Sequence, residues 1–363
     1  MIEMTSEERL RAALKGDDVD RVPFSPFLAY VWEHFPAEIR DRGQRSFLTS
    51  VGADPLWRGA PCPVAAHPPE LVVRTHESGR DTTTETVTPV GTLRSVTRRS
   101  DQGNTSFLIE HPLKTPDDFR TLMWIEEHTT FSCAPERVEK HFAGDGRVGL
   151  SLGMLVPRGK SAYQSLVEHH VGTEELIYAT VDFPDVVDDL LAVMVANDEK
   201  AVRLAARAPY EYYISWEDSS TTNYSPAQYD RYIGPEIGHW CEILAEHGKR
   251  YIQHACGHVK DLVVRMRDHG AYGIESISPP PTGNVEVRDA RAATGSEFAI
   301  IGGIEPTAFL NLSLAKLGPY AERVIEDGSG GPFVLANSDS CPPGVTVEKF
   351  RLVADVTRSV GVC

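Results

Sequence analysis

The segment Arg250-Tyr-Ile-Gln-His254-Ala-Cys256-Gly257-His258 holds the residue types best suited to chemistry in this chain. Residues 250–254 carry a strand pattern, so His254 and Cys256 project from one face, roughly 6–7 Å apart along the backbone. An imidazole and a thiolate at that spacing can converge on one tetrahedral ion, with Zn–N near ~2.0 Å and Zn–S near ~2.3 Å. Gly257 lets the chain turn into the next element without a Cβ clash. A third ligand is required, and Cys341 is the natural candidate. It stands in Leu335-Ala-Asn-Ser-Asp-Ser-Cys341-Pro-Pro-Gly, just beyond a second buried strand pattern, Phe333 to Ala336. Functional groups in parallel α/β architectures gather at such strand ends. The same residues also fit a plainer description, two packed cysteines and a hydrogen-bonded core histidine. Spacing alone leaves both open.

Carboxylates stand at comparable places. Trp216-Glu217-Asp218 follows the strand pattern Glu211 to Trp216, so Glu217 or Asp218 can orient a substrate or shuttle a proton. Helix capping or a surface ion pair is the alternative for both. Glu305 is placed similarly, after another strand.

The elements that must position these groups change in texture along the chain. Thr5 with Glu8 three residues on, ahead of Leu10, Ala13 and Leu14, predicts a capped helix over the first fifteen residues. Val22-Pro23-Phe24-Ser25-Pro26 predicts an extended segment leading into the core. Residues 71–109 alternate Thr and Val with polar residues, and Pro89-Val90-Gly91 sits between two such runs, the pattern of antiparallel strands. Thr115-Pro116 opens another helix. From about residue 147 short buried strands alternate with helices, including helices over 183–208, 225–247 and 345–360. That order implies parallel crossovers, hence a wound sheet or a (β/α)8 barrel. About six strand–helix units are strong, so a barrel needs two more from residues 1–130, with the main part of it in 131–363.

The balance of 36 Lys plus Arg against 52 Asp plus Glu, net −16, argues against a nucleic-acid partner. No run approaches the ~18 apolar residues of a membrane span, and the N-terminus reads as no secretory signal. Six scattered cysteines suit a reducing cytoplasm, where they are packed, metal-bound or reactive rather than cross-linked. Gly144-x-Gly146-x-x-Gly149 matches a dinucleotide-binding pattern, but it follows a helix and feeds a strand, the reverse of the required order. It reads as a turn. His169-His170 lies in a helix, where neighbours point about 100° apart and do not chelate one ion together.

His254-Ala-Cys256-Gly257, the late Ser338-Asp-Ser-Cys341-Pro-Pro-Gly344 and the alternating segment between them resemble the uroporphyrinogen decarboxylase superfamily, specifically its zinc-dependent, corrinoid-linked methyltransferase branch. Thr88-Pro-Val-Gly-Thr92 is similar to that family's N-terminal β insertion, and Gly302-Gly303-Ile304-Glu305-Pro306 to its Gly-rich strand end. The resemblance implies a (β/α)8 TIM barrel with an N-terminal helical and β-hairpin extension. It implies zinc on His254, Cys256 and Cys341, and a methyl group moved between a small substrate and a corrinoid protein. A homodimer is compatible with it. An arginine cluster for substrate carboxylates, expected of true uroporphyrinogen decarboxylases near Arg21, is missing. An acidic residue expected after the metal helix falls on Ile277, with Glu275 two residues earlier on the same face as the substitute. Zinc with three protein ligands keeps one position for substrate. The rival expectations are a decarboxylase of a small carboxylated substrate and a barrel with a closed, structural zinc.

Overall fold

Thr5 caps the first helix, Ser6–Lys15, as its sequence predicts: its hydroxyl accepts the Glu8 amide at 3.3 Å, and the Glu8 carboxylate accepts the Thr5 amide at 2.8 Å. The helix buries Leu10, Ala13 and Leu14. These close over inward residues of the barrel strands, among them Leu152, Ile214, Ile252, Ile301 and Val334. The structure, a computed structural model, describes residues 3–101 and 105–360. Cys363 and the first two residues lie outside that range.

The strands in chain order are β1 (Leu56–Gly59), β2 (Pro63–Ala66), β3 (Val72–Ser78), β4 (Asp81–Val87), β5 (Thr92–Arg99), β6 (Ser106–Glu110), β7 (Thr130–Cys133), β8 (Leu150–Met154), β9 (Tyr212–Ser215), β10 (Arg250–His254), β11 (Gly273–Ile277), β12 (Ala299–Ile304) and β13 (Phe333–Asn337). Seven of them form one parallel sheet in the order β1-β8-β9-β10-β11-β12-β13. β9, β11, β12 and β13 are buried at every residue, as expected for strands covered on both faces.

The eighth position belongs to the extended segment around Phe24. Phe24 bridges to Leu335 of β13 in parallel, with Ser25 N–H donating to the Leu335 carbonyl at 2.8 Å and Leu335 N–H to Pro23 at 3.0 Å. On its other side the Phe24 carbonyl accepts the Asp54 amide, two residues before β1, at 2.7 Å. Pro23 and Pro26 have no N–H to give, which keeps this contact to a single bridge. The sheet thus curls into a TIM barrel, and β1 with the Phe24 segment are the two units the N-terminal half had to supply.

The β insertion is a four-stranded antiparallel sheet, β3-β4-β5-β6, and β2 pairs with β7. One expectation fails here. Pairing of β2 with β7 brings Cys62 and Cys133, 71 residues apart, to a Cα separation of 5.2 Å in a disulfide. Their distance in sequence concealed this. The helix expected over 225–247 is also interrupted: Pro226–Gln228 leads into a π turn at Tyr229–Ile233 before Gly234–Ala245. Pro235 has no amide for the preceding turn, so the ladder is offset there. The glycines at 144–149 form a turn, with Asp145–Arg147 as one 3-10 turn between helix Pro135–Ala143 and β8.

Candidate metal centre at the mouth of the barrel

β10 ends at His254, and β11 runs beside it with Glu275 directly opposite. His254 is buried, and its Nδ1 meets the Glu275 carboxylate. The other oxygen of Glu275 is held by Arg58 on β1. Arg58 in turn lies against two aromatic faces, 4.9 Å from the Phe27 ring centroid and 5.8 Å from that of Trp216. The imidazole is therefore fixed through one nitrogen, and its Nε2 is aimed at the strand ends.

At Nε2 stands Asp218. Its Oδ1 lies 3.1 Å from His254 Nε2 and accepts the Cys256 thiol at 3.6 Å. Ligand atoms of Asp218, His254 and Cys256 all lie within 4.8 Å of one another, the one such group found among the described residues. Lys160, in the loop after β8, donates to Asp218 Oδ2 at 2.9 Å and also pairs with Glu168. Trp216 packs its ring edge-on to His254, with centroids 5.0 Å apart.

The electrostatics follow from this packing. Burial alone would push His254 down, but the Glu275 charge and the bonds to Asp218, Cys256 and Glu275 hold it well above the ordinary imidazole range. Burial pushes Asp218 up, and His254 and Lys160 more than reverse that, leaving it well below the usual carboxylate range. The Cys256 thiol is raised by burial, with His254 pulling part of the way back.

The donor set suits a metal. An imidazole whose second nitrogen is bound by a carboxylate is the usual arrangement of a metal-ligating histidine. With a thiolate and a carboxylate oxygen beside it, the set matches the N, S and O donors zinc takes. Beside Cys256 opens a cavity of about 600 Å³, lined by Glu168, Asp218 and Asp339 and by hydroxyls such as Ser220, Thr282 and Ser338. No arginine lines it.

The expected residues fare differently. His254 and Cys256 meet as their spacing predicts, and Glu275 is the partner of His254. Cys341 is placed elsewhere. It is fully buried in the apolar core, its amide donates to the Phe27 carbonyl at 2.9 Å, and burial drives its thiol far up, with Lys349 the one charge drawing it back. From the same loop it is Asp339 that lines the cavity. Glu217 is also turned inward. It accepts the Ser161 amide at 2.6 Å, and burial raises it to about 7. Glu305 caps helix Pro306–Asn311 through the Ala308 amide at 2.6 Å. Sequence reasoning missed Arg58, Lys160, Glu168 and Asp339. Asp339 lay within the 338–344 motif but was passed over for its cysteine, while Arg58 on β1 and Lys160 and Glu168 after β8 sit in no motif and reach the site from other barrel units.

A sequence model of the uroporphyrinogen decarboxylase (URO-D) family matches residues 169–360, more than half of the chain. The chain belongs to the uroporphyrinogen decarboxylase family. No curated protein matches it at the level of sequence. Among solved structures, a methyltransferase from Methanosarcina mazei superposes with a TM-score of 0.61 at 14% identity, covering 98% of this chain and 99% of the other. At that identity the likeness is one of fold. Weaker superpositions include a B12-independent methionine synthase from Shewanella sp. W3-18-1, TM-score 0.44 at 8% identity over 94% of this chain and 97% of the other. In this URO-D family member no helix of the described residues is long and apolar enough to cross a membrane.

Proposed function

We propose that this URO-D family protein is a zinc-dependent methyltransferase, moving a methyl group between a small substrate and a corrinoid protein. The observation that carries the reading is the convergence of His254 and Cys256 on one point at the barrel mouth, beside a cavity large enough for a small molecule. Zinc there would supply Lewis-acid polarisation of a substrate heteroatom, or hold a thiol as thiolate at neutral pH.

The chain's own residues do the positioning. Arg58 and Glu275 hold Nδ1 and the plane of His254, so that Nε2 faces Asp218 and Cys256 at the metal point. Lys160 holds Asp218 against the same point. The hydroxyl-rich wall offers hydrogen bonds to orient the substrate while its carbon–heteroatom bond breaks, the electron pair staying on the heteroatom and the acceptor's pair forming the new bond to carbon. The carboxylates of Glu168 and Asp339 favour a neutral or cationic substrate. A decarboxylase of a carboxylated substrate gains no support from a cavity without arginine, and a closed structural zinc none from Glu275, whose oxygens are engaged by His254 and Arg58.

The test is methyl exchange with free corrinoid as surrogate partner. Zinc-loaded protein is incubated with methylcobalamin and a panel of small thiols, and with cob(I)alamin and methylated ethers and amines. Transfer in one direction is expected, lost on chelation and in Cys256→Ala. A fully zinc-loaded protein inert in both directions would sink the proposal.

A further inference from the structure

The geometry points to a metal site in this chain made of His254 Nε2, Cys256 Sγ and Asp218 Oδ1, with Cys341 serving as a core residue rather than a ligand. The inference rests on the methyl-transfer reading for the presence of the metal and specifies what holds it.

Four observations carry it. Asp218 Oδ1 is already the atom that faces both other donors, at 3.1 Å from the imidazole nitrogen and 3.6 Å from the sulfur. Asp218 reaches this place with a left-handed backbone, φ 47°, a conformation that a residue with a side chain keeps only where its surroundings impose it. Lys160, only 4% exposed, binds the second oxygen of Asp218 and so turns the first toward His254 and Cys256. Finally, the loop after β13 sends its carboxylate, not its thiol, toward the site. Asp339 has φ 81° and lines the cavity, whereas Cys341 has no exposed surface. The Cys341 amide is tied to Phe27, and the neighbouring Lys349 ammonium is itself bound to the Phe309 and Leu310 carbonyls. The Cys341 sulfur is not among the ligand atoms that lie within 4.8 Å of one another around His254.

A carboxylate is a harder donor than a thiolate, so this set suits Lewis-acid work on oxygen or nitrogen better than a site with two sulfurs does.

The experiment loads the full-length protein with Co(II) and reads the sulfur-to-metal charge-transfer band, then measures zinc affinity by chelator competition. One thiolate per metal is expected, and Cys256→Ala abolishes the band. Cys341→Ala keeps the band and holds zinc within about twofold of wild type. Cys341→Val repeats the measurement with a side chain that fills the core and cannot ligate. Asp218→Asn keeps the band but weakens zinc at least ~10-fold, no less than loss of an outer-shell partner does. A band that halves in both Cys341 variants, or zinc affinity unchanged in Asp218→Asn, overturns the assignment while leaving the methyl-transfer reading intact. Wild-type protein that binds no metal removes both.

Discussion

The two ends of the barrel treat buried charge in opposite ways. At the N-terminal ends of the strands, Asp54 is fully buried and fully answered: Arg9 reaches it at 2.6 Å, Arg21 at 2.7 and 3.0 Å, and the Phe24 amide at 3.2 Å. Asp20 takes the rest of Arg9. Within this cluster the charges cancel, and the helix Ser6–Lys15 covers the end. At the C-terminal ends Asp218, Glu275, Glu168 and Asp339 gather around one imidazole and one thiol, against Lys160 and Arg58. That surplus of donors is a poor way to stabilise a fold and a good way to hold a cation. The difference separates the residues that keep the barrel shut from those proposed to hold the metal.

Three substitutions sharpen or break this contrast. Asp54→Ala leaves two buried guanidinium groups short of their partner and is expected to destabilise the fold by about 3–5 kcal/mol. Denaturant unfolding measures it, and zinc affinity of the remaining folded protein should not change. A milder loss, or a weakened metal site, would mean that the two ends are coupled.

Glu275→Gln makes the complementary change. The amide still fills the space but no longer carries the charge that fixes His254, and metal affinity should fall about 10- to 100-fold. Thermal stability in chelator should move far less than in Asp54→Ala. Equal losses of stability in the two variants would erase the distinction.

The effect that is smallest at neutral pH, and grows only on acidification, comes from outside both clusters. His170, in the π turn Leu166–His170, is pushed down to about 3 by burial, with the nearby Arg158 charge adding to it. The folded state therefore binds fewer protons than the unfolded chain between pH 6.5 and pH 3. Stability contributed by neutral His170 is present above 6.5 and is lost on acidification, at a slope of up to about 1.4 kcal/mol per pH unit. His170→Gln should flatten that part of the stability–pH curve. An unchanged slope would show that other groups set it.

Much of the fold was legible because it depends on local pattern. The Thr5/Glu8 capping box formed where its spacing placed it, and Thr115-Pro116 opens the helix Pro116–Glu127. The buried runs 250–254, 273–277 and 333–337 became strands of the parallel sheet. Half of the site was legible for the same reason, since His254 and Cys256 are two residues apart on one strand end. The eighth barrel position was harder to see, because a single bridge at Phe24 between prolines leaves no alternating pattern. The Cys62–Cys133 pair was invisible, because antiparallel pairing of two short strands joins residues 71 apart.

What the chain's own order of residues determined is therefore the barrel, its helix caps and the pairing of one imidazole with one thiol at the mouth, all products of spacing within a few residues. Which further group faces that pair was settled only in three dimensions. Residues 338–341 offer a carboxylate and a thiol side by side, and the choice between them depends on the turn at Asp339 and the bond from the Cys341 amide to Phe27. Asp218 is aimed by Lys160 and His254 by Arg58, from barrel units remote in sequence. Orientation of a side chain at a strand end is a property of its neighbours across the barrel, and no local pattern encodes those.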